Sequence, residues 1–206
     1  MIDAGACVGE YTLLFSELVG ETGKVVAFEP DPVAERILRH NLTSNHVTNT
    51  ICEGLALSEA EATVSLITES LGGSGSSITR YVNVSNNEIT NVPVKSVSLD
   101  TYCAERNIKP DGLKIDTEGA ELRIFRGMRK VLRDYSPWVL LEFHGAFIGS
   151  TEREEAWNEI LHSAKAAFLV GGATPQYPFG ADLRTGEGSP RFRLPNIPVF
   201  RVFIRY

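Results

Sequence analysis

Four points along this chain carry side chains suited to binding or proton transfer, and each follows a short apolar run. Asp3 follows Met1-Ile2 and leads into Ala4-Gly5-Ala6-Cys7-Val8-Gly9. Glu29 closes the run Lys24-Val25-Val26-Ala27-Phe28. Asp116 closes Leu113-Lys114-Ile115, with Glu118 just beyond, and Glu142 and His144 end the run that starts at Val139. Carboxylates at such points accept hydrogen bonds from hydroxyl or ammonium groups, and an imidazole with its ordinary pKa near neutrality is a proton carrier. Residues i and i+2 of a strand share a face, so Glu142 and His144 are expected to form a pair, with the carboxylate orienting the ring or raising its pKa. Asp116, Glu118 and His144 are also ligand types for a divalent ion, but their spacing matches no established metal signature and no metal is expected.

The stretch from Ile2 to Thr12 reads as strand, tight turn and amphipathic helix, with Tyr11, Leu14, Phe15 and Leu18 expected on the buried face. Gly5 and Gly9 are expected to let the backbone turn and approach a ligand, while the amides of the helix start face the same crevice. The dinucleotide fingerprint G-x-G-x-x-G fails twice, at Cys7 and Glu10. What stands instead is D-x-G-x-x-x-G followed by Glu29, 20 residues past Gly9. That acid is placed to accept both hydroxyls of a ribose; a helix-capping or solvated carboxylate is the other use of an acid at this point.

These groups need a scaffold that brings strand ends together. Strands are expected at the chain start, at 24–29, 50–57, 113–116 and 139–143, alternating with helices, which means a parallel sheet with right-handed crossovers. Asp31-Pro32 caps a helix whose buried face is Ala34, Ile37, Leu38 and Leu42. An added edge strand at 62–67, an extended segment at 92–97 and a short helix capped by Ser98 come next. One long helix from Glu118 to Asp134 presents Leu122, Phe125, Met128 and Leu132 inward. Arg123, Arg126, Arg129, Lys130 and Arg133 form its solvated face, and Glu121 favours its start through the helix dipole. Thr151-Glu152-Arg153-Glu154 is a capping box for the next helix, and strands at 167–171 and 199–206 form an antiparallel edge hairpin. Residues 72–91 and 171–198 read as surface loops that select the substrate.

At 206 residues the chain suits one domain, with a first strand that reads as shortened. A net charge of −6, with both signs mixed along the chain, offers no basic footprint, so nucleic acid is not expected as a partner. No apolar run is long enough to span a membrane, no signal peptide is evident, and a cytoplasmic location is expected. Cys7, Cys52 and Cys103 are too scattered for a disulfide framework or a zinc site. The sequons at Asn41 and Asn83 stand without any other secretory sign.

The segments IDAGACVGEYTLLFS, VVAFEPDP, LKIDTEGAELRIFRGMRKVL and PWVLLEFH resemble, in order and spacing, the FkbM-type family of S-adenosylmethionine-dependent methyltransferases. The resemblance runs from Ile2 to about His144. It implies an α/β, Rossmann-like class I methyltransferase three-layer sandwich, with a mostly parallel seven-stranded sheet and an antiparallel last strand. It implies S-adenosylmethionine as cofactor, with Asp3, Gly5, Ala6 and Gly9 around its methionine part, Glu29 and Pro30 at the ribose, and Ala56 near the adenine. Leu55 stands where many such enzymes carry an adenine-binding Asp. Asp116 orients the cofactor or acceptor, and Asp116, Glu118 and His144 are the candidate catalytic set, with His144 as base. The implied acceptor is a hydroxyl of a small molecule or carbohydrate. A non-catalytic cofactor-binding module and a nicotinamide-dependent oxidoreductase are the competing readings; oligomeric state is not legible.

Overall fold

The computed structural model describes residues 1–68, 90–145, 150–171, 180–184, 192–195 and 197–206. Its main sheet has seven strands in the order β3-β2-β1-β7-β8-β10-β9. These are β1 (Ile2–Ala4), β2 (Val25–Phe28), β3 (Thr50–Glu53), β7 (Gly112–Ile115), β8 (Trp138–Phe143), β9 (Ala166–Gly171) and β10 (Phe200–Arg205). The first five run parallel, and β10 lies antiparallel between β8 and β9. The expected alternation and edge hairpin are therefore present.

Helices cover both faces, which a sheet buried on two sides requires. On one face Ala27 and Cys52 pack with Leu38 and Leu42 of α2 (Pro32–Ser44), and Leu13 of α1 (Glu10–Leu18) joins them. On the other, Ile2, Val26, Phe28, Leu113, Ile115, Val139 and Leu141 meet the apolar sides of α3 (Leu99–Arg106), α4 (Glu121–Arg126), α5 (Arg129–Tyr135) and α6 (Ser150–Ile160). Strand alternation sends Asp3 and its β-ladder partner Lys114 to the α1 face, while their neighbours Ile2, Ala4, Leu113 and Ile115 enter the larger core.

Several elements differ from expectation. The third strand breaks at Gly54-Leu55: its second half, β4 (Ala56–Leu57), joins β6 (Thr90–Val97) and β5 (Ala62–Thr68) in a separate sheet ordered β4-β6-β5. The segment near Ala62 is thus an edge strand, but of that second sheet. The long helix is two, α4 and α5, because Asp100 of α3 accepts from the amides of Lys130 and Val131 at 3.0 and 2.9 Å and starts a new helix there. On α1 the buried residues are Thr12 and Phe15, whereas Leu14 and Leu18 are exposed. Ile37 likewise lies at the exposed edge of α2. Ser150 already belongs to α6, so Thr151 is inside that helix rather than its cap. Asn41, one of the sequons, donates to the Val8 carbonyl at 2.8 Å and ties α2 to the turn before α1. The other sequon, the glycine-serine run at 71–77 and most of the two expected substrate loops lie outside the described residues.

Candidate active site

Because β1, β2, β7 and β8 are parallel neighbours, their carboxyl ends open on one edge, and backbone bonds lock those ends together. The amides of Gly5 and Ala6 both donate to the Phe28 carbonyl at 3.0 Å, and the amide of Asp116 donates to that of Ala4 at 3.1 Å. Gly5 has φ +74°, and a Cβ there would lie 1.8 Å from the Asp116 carbonyl oxygen. At Gly9, φ +99°, it would lie 2.6 Å from Leu38 Cδ1. Both glycines thus make the expected sharp turn, and they also accommodate the protein's own packing. Ala6 is buried with Ala27 and Leu38, so only its backbone is left for the crevice. Helix α1 starts at Gly9 with no side-chain cap, so its first amides and the positive end of its dipole face this edge.

Glu29 is buried just past β2. One carboxylate oxygen accepts from the Cys7 amide at 2.7 Å and the other from the Asp31 amide at 2.8 Å. It therefore clasps the glycine turn to the start of α2, where Asp31 caps the amides of Val33 and Ala34. Burial pushes the Glu29 carboxyl up to about 7, against the opposing pull of the two amides. Pro30 is half-buried beside it. Ala56 is enclosed in β4 with Leu66 and Val94, and Leu55 packs against the larger core.

Asp3 is fully buried. The Thr12 hydroxyl donates to its Oδ2 at 2.5 Å, while Oδ1 has no hydrogen-bond partner and lies 3.5 Å from Lys114 Nζ. Burial raises the Asp3 pKa despite Lys114 and Thr12. Lys114 donates to the Gly5 carbonyl at 2.8 Å, lies 3.5 Å from Asp116 Oδ2 and sits over the Tyr11 ring. One buried ammonium thus serves two carboxylates and the glycine turn. No role was expected for it, although a lysine inside the apolar run Leu113-Lys114-Ile115 is a signal in itself, since lysine is rarely buried without a partner.

His144 gathers the other acids. It lies just past β8 with a side chain only 4% exposed. Its Nδ1 is 2.9 Å from Glu121 Oε1, and since a carboxylate only accepts, this nitrogen carries the hydrogen. The same carboxylate oxygen accepts from the Gly119 amide at 2.9 Å. Nε2 faces Glu118 Oε2 at 3.3 Å, Glu142 Oε1 at 3.8 Å and Asp116 Oδ1 at 3.9 Å. The expected Glu142–His144 pair is on one face, but the group that orients the ring is Glu121, which is 1% exposed and stands, as expected, in the first turn of a helix, α4. Burial alone would lower the imidazole pKa, yet the Glu121 bond and the charges of Glu121, Glu118 and Asp116 outweigh it and hold the ring at about 9. At neutral pH the ring therefore carries a proton, which removes the reason for expecting a free base there. Burial, aided by Asp116, Glu121 and Glu142, raises the Glu118 pKa against the pull of His144. Glu142 also pairs with Arg201 of β10.

Residues 3–166 match the family model described as the methyltransferase FkbM domain. The chain belongs to the FkbM methyltransferase family. Among solved structures, the FkbM methyltransferase from Methylobacillus flagellatus KT superposes with a TM-score of 0.59 at 17% identity, over 99% of this chain and 42% of that one. A provisionally assigned rRNA methylase from Clostridium thermocellum gives 0.51 at 13% identity, over 99% and 84%. A provisionally assigned O-methyltransferase from Klebsiella pneumoniae gives 0.51 at 10% identity, over 99% and 71%. At these identities the likeness is one of fold, the class I methyltransferase fold, and the FkbM chain spans less than half of its Methylobacillus counterpart. No protein of curated function matches it in sequence. Among the described residues no helix is long and apolar enough to cross a membrane.

Proposed function

We propose that this chain binds S-adenosylmethionine along the carboxyl edge of its parallel sheet and methylates an oxygen of a small hydroxylated or sugar acceptor. The observation that carries the reading is the convergence of Asp3, Glu29 and the Asp116–Glu118–His144 group on that edge in a member of the FkbM family. The residues suit the cofactor. Asp3 Oδ1 makes no hydrogen bond beyond its 3.5 Å ion pair with Lys114, which leaves it acceptor capacity for an ammonium group. Glu29 has acceptor lone pairs left for ribose hydroxyls, and the uncapped start of α1 suits a carboxylate. Pro30 and Leu55 offer apolar contact, while Gly5, Ala6 and Gly9 contribute backbone, and Ala56 supports this wall from behind. S-adenosylmethionine supplies an electrophilic methyl group on a sulfonium.

The chain's own part is positioning and charge. In an in-line displacement, alignment of the acceptor supplies much of the acceleration. Glu118, with a raised pKa and a partly exposed side chain, is the better proton acceptor at neutral pH. His144, protonated and held by Glu121, orients that carboxylate. Four carboxylates around one imidazole repel an anionic acceptor, which favours a neutral polyol over phosphate-rich nucleic acid. Calorimetric titration with S-adenosylmethionine, its demethylated product and NAD tests the reading. The sulfur nucleotides should bind and NAD should not; Glu29→Ala should abolish binding, and His144→Ala should keep it while lowering turnover on hydroxylated acceptors. Preference for NAD, or equal loss of binding in both variants, would overturn it.

A further inference from the structure

Beyond His144 the edge of the sheet is held by side chains of α6. Arg153 and Trp157 stand four residues apart on that helix and so share a face. Trp157 Nε1 donates to the Phe192 carbonyl at 3.3 Å, and Arg153 Nη2 donates to the Pro195 carbonyl at 2.8 Å and to that of Ile197. Three backbone oxygens that precede β10 are thus taken by two side chains of one helix. Trp157 roots this contact in the core: it is buried against Phe143 and Phe200, with ring centroids 5.6 and 5.3 Å away, and those two phenylalanines are ladder partners of β8 and β10. Phe143 is the residue before His144.

Arg153 lies against the residue after His144 as well. A Cβ at Gly145 would collide with Arg153 Nε and lie 3.0 Å from its Cδ, so the guanidinium stem occupies the space that a side chain there would need. Its Nε is buried without a hydrogen bond, and burial lowers the Arg153 pKa with no neighbouring carboxylate to oppose it. A guanidinium inside a protein ordinarily meets a carboxylate that answers both arms of its fork. Among the described residues this one meets main-chain carbonyls and a glycine instead. A partly buried charge without a counter-ion is unfavourable, and what this one secures is the chain directly after His144 and the chain just before β10.

We propose that Arg153 is a positioning residue for His144. By packing on Gly145 and holding the Pro195 and Ile197 carbonyls, it fixes the strand end that carries the imidazole between Glu121 and Glu118. The sheet order puts Asp3 and Glu29 on the β1–β2 side of His144 and β10 on the other, so this clamp borders the side of the cleft left to the acceptor. The use of His144 in turnover rests on the methyl-transfer reading; its positioning by Arg153 does not.

The test compares the unmodified chain with Arg153→Met, Arg153→Lys and Gly145→Ala, the last of which pushes the guanidinium aside while keeping its charge. One readout is the proton resonance of His144 Nδ1, shifted downfield by the bond to Glu121 and assigned by its absence from His144→Ala. The other is hydrogen exchange of the peptides that carry Gly145, Pro195 and Ile197. Both are read without nucleotide. In Arg153→Met and Gly145→Ala the resonance should be lost and exchange of these peptides should quicken about tenfold, while the circular dichroism melt stays cooperative. Arg153→Lys, which keeps a cation with donors for both carbonyls, should recover most of the protection. S-adenosylmethionine affinity should stay within about twofold in all three, whereas turnover on glycerol or free monosaccharides should fall about tenfold or more in Arg153→Met and Gly145→Ala. An unchanged resonance and unchanged exchange in folded Arg153→Met or Gly145→Ala overturns the positioning role, and so does a loss of nucleotide affinity as large as the loss of turnover. Failure of the unmodified chain to bind S-adenosylmethionine sinks the methyl-transfer reading instead, and the His144 resonance still decides for or against Arg153.

Discussion

Lys114 and Glu29 hold opposite ends of the glycine turn, and both do so from inside the protein. Removing Lys114 strands the buried Asp3 and leaves Asp116 without its nearest cation. Breaking a buried ion pair from one side is strongly unfavourable, so Lys114→Met should destabilise the fold by on the order of 3 kcal/mol in urea denaturation. The double variant with Asp3→Asn should recover part of that loss, because the stranded charge is gone; strictly additive losses would mean that the pair is not coupled. Glu29 makes a pH prediction. Its carboxyl titrates at about 7 in the folded chain against 4.5 as the reference. The folded state thus keeps a proton that the unfolded state has released, and the associated stability is complete below pH 4.5 and lost as pH rises through 7. The loss is on the order of 3 kcal/mol. Urea midpoints of the native chain should fall across that window relative to Glu29→Gln. Ribose hydroxyls prefer the ionised carboxylate, so S-adenosylmethionine affinity should weaken below pH 7, with proton release on binding seen calorimetrically.

Among the elements, α1 and the α4–α5 pair show how tertiary contacts override a pattern. The apolar spacing of Tyr11, Leu14, Phe15 and Leu18 suggests one buried stripe, but the helix rotates to bury Thr12, whose hydroxyl serves the Asp3 carboxylate beneath it. The stripe is only partly used because a buried acid in the sheet demanded a donor. The α4–α5 break depends on Asp100, which is distant in sequence and caps α5 through space. Asp100→Ala should cost about 1 kcal/mol, as loss of a helix cap does, and lower the melting temperature by roughly 2–4 °C. An unchanged melt would assign the break to the packing of Gly127 and Met128 instead. The second sheet has a simple cause: Gly54-Leu55 ends the pairing with β2, freeing Ala56-Leu57 to pair with β6.

For the whole molecule, the bound nucleotide should act as a staple across strands that are separate in sequence. Ligand at about 100 times its dissociation constant stabilises the native state by about 2.7 kcal/mol. S-adenosylmethionine at that excess should therefore raise the melting temperature measurably, and NAD should leave it unchanged. A shift produced equally by both nucleotides would deny the discrimination that the missing G-x-G-x-x-G pattern implies.

Much of this was legible in the residues alone. Apolar runs ending in acids located the strands and the edge on which those acids gather, Asp31-Pro32 and Ser98 marked helix starts, and the K-I-D-x-E-G-A-E block carried the family. Such features are local, encoded in a few consecutive side chains whose physical preferences survive any context. What only the tertiary structure decided are relations between distant segments: the use of Gly5 and Gly9 against Asp116 and Leu38, the burial of Lys114 between two acids, and the gathering of Glu118, Glu121 and Glu142 around one imidazole. The protonation of His144 belongs to that second kind, because a pKa is set by charges and burial brought in from elsewhere in the chain, and no spacing of residues along it states how far away those charges will be.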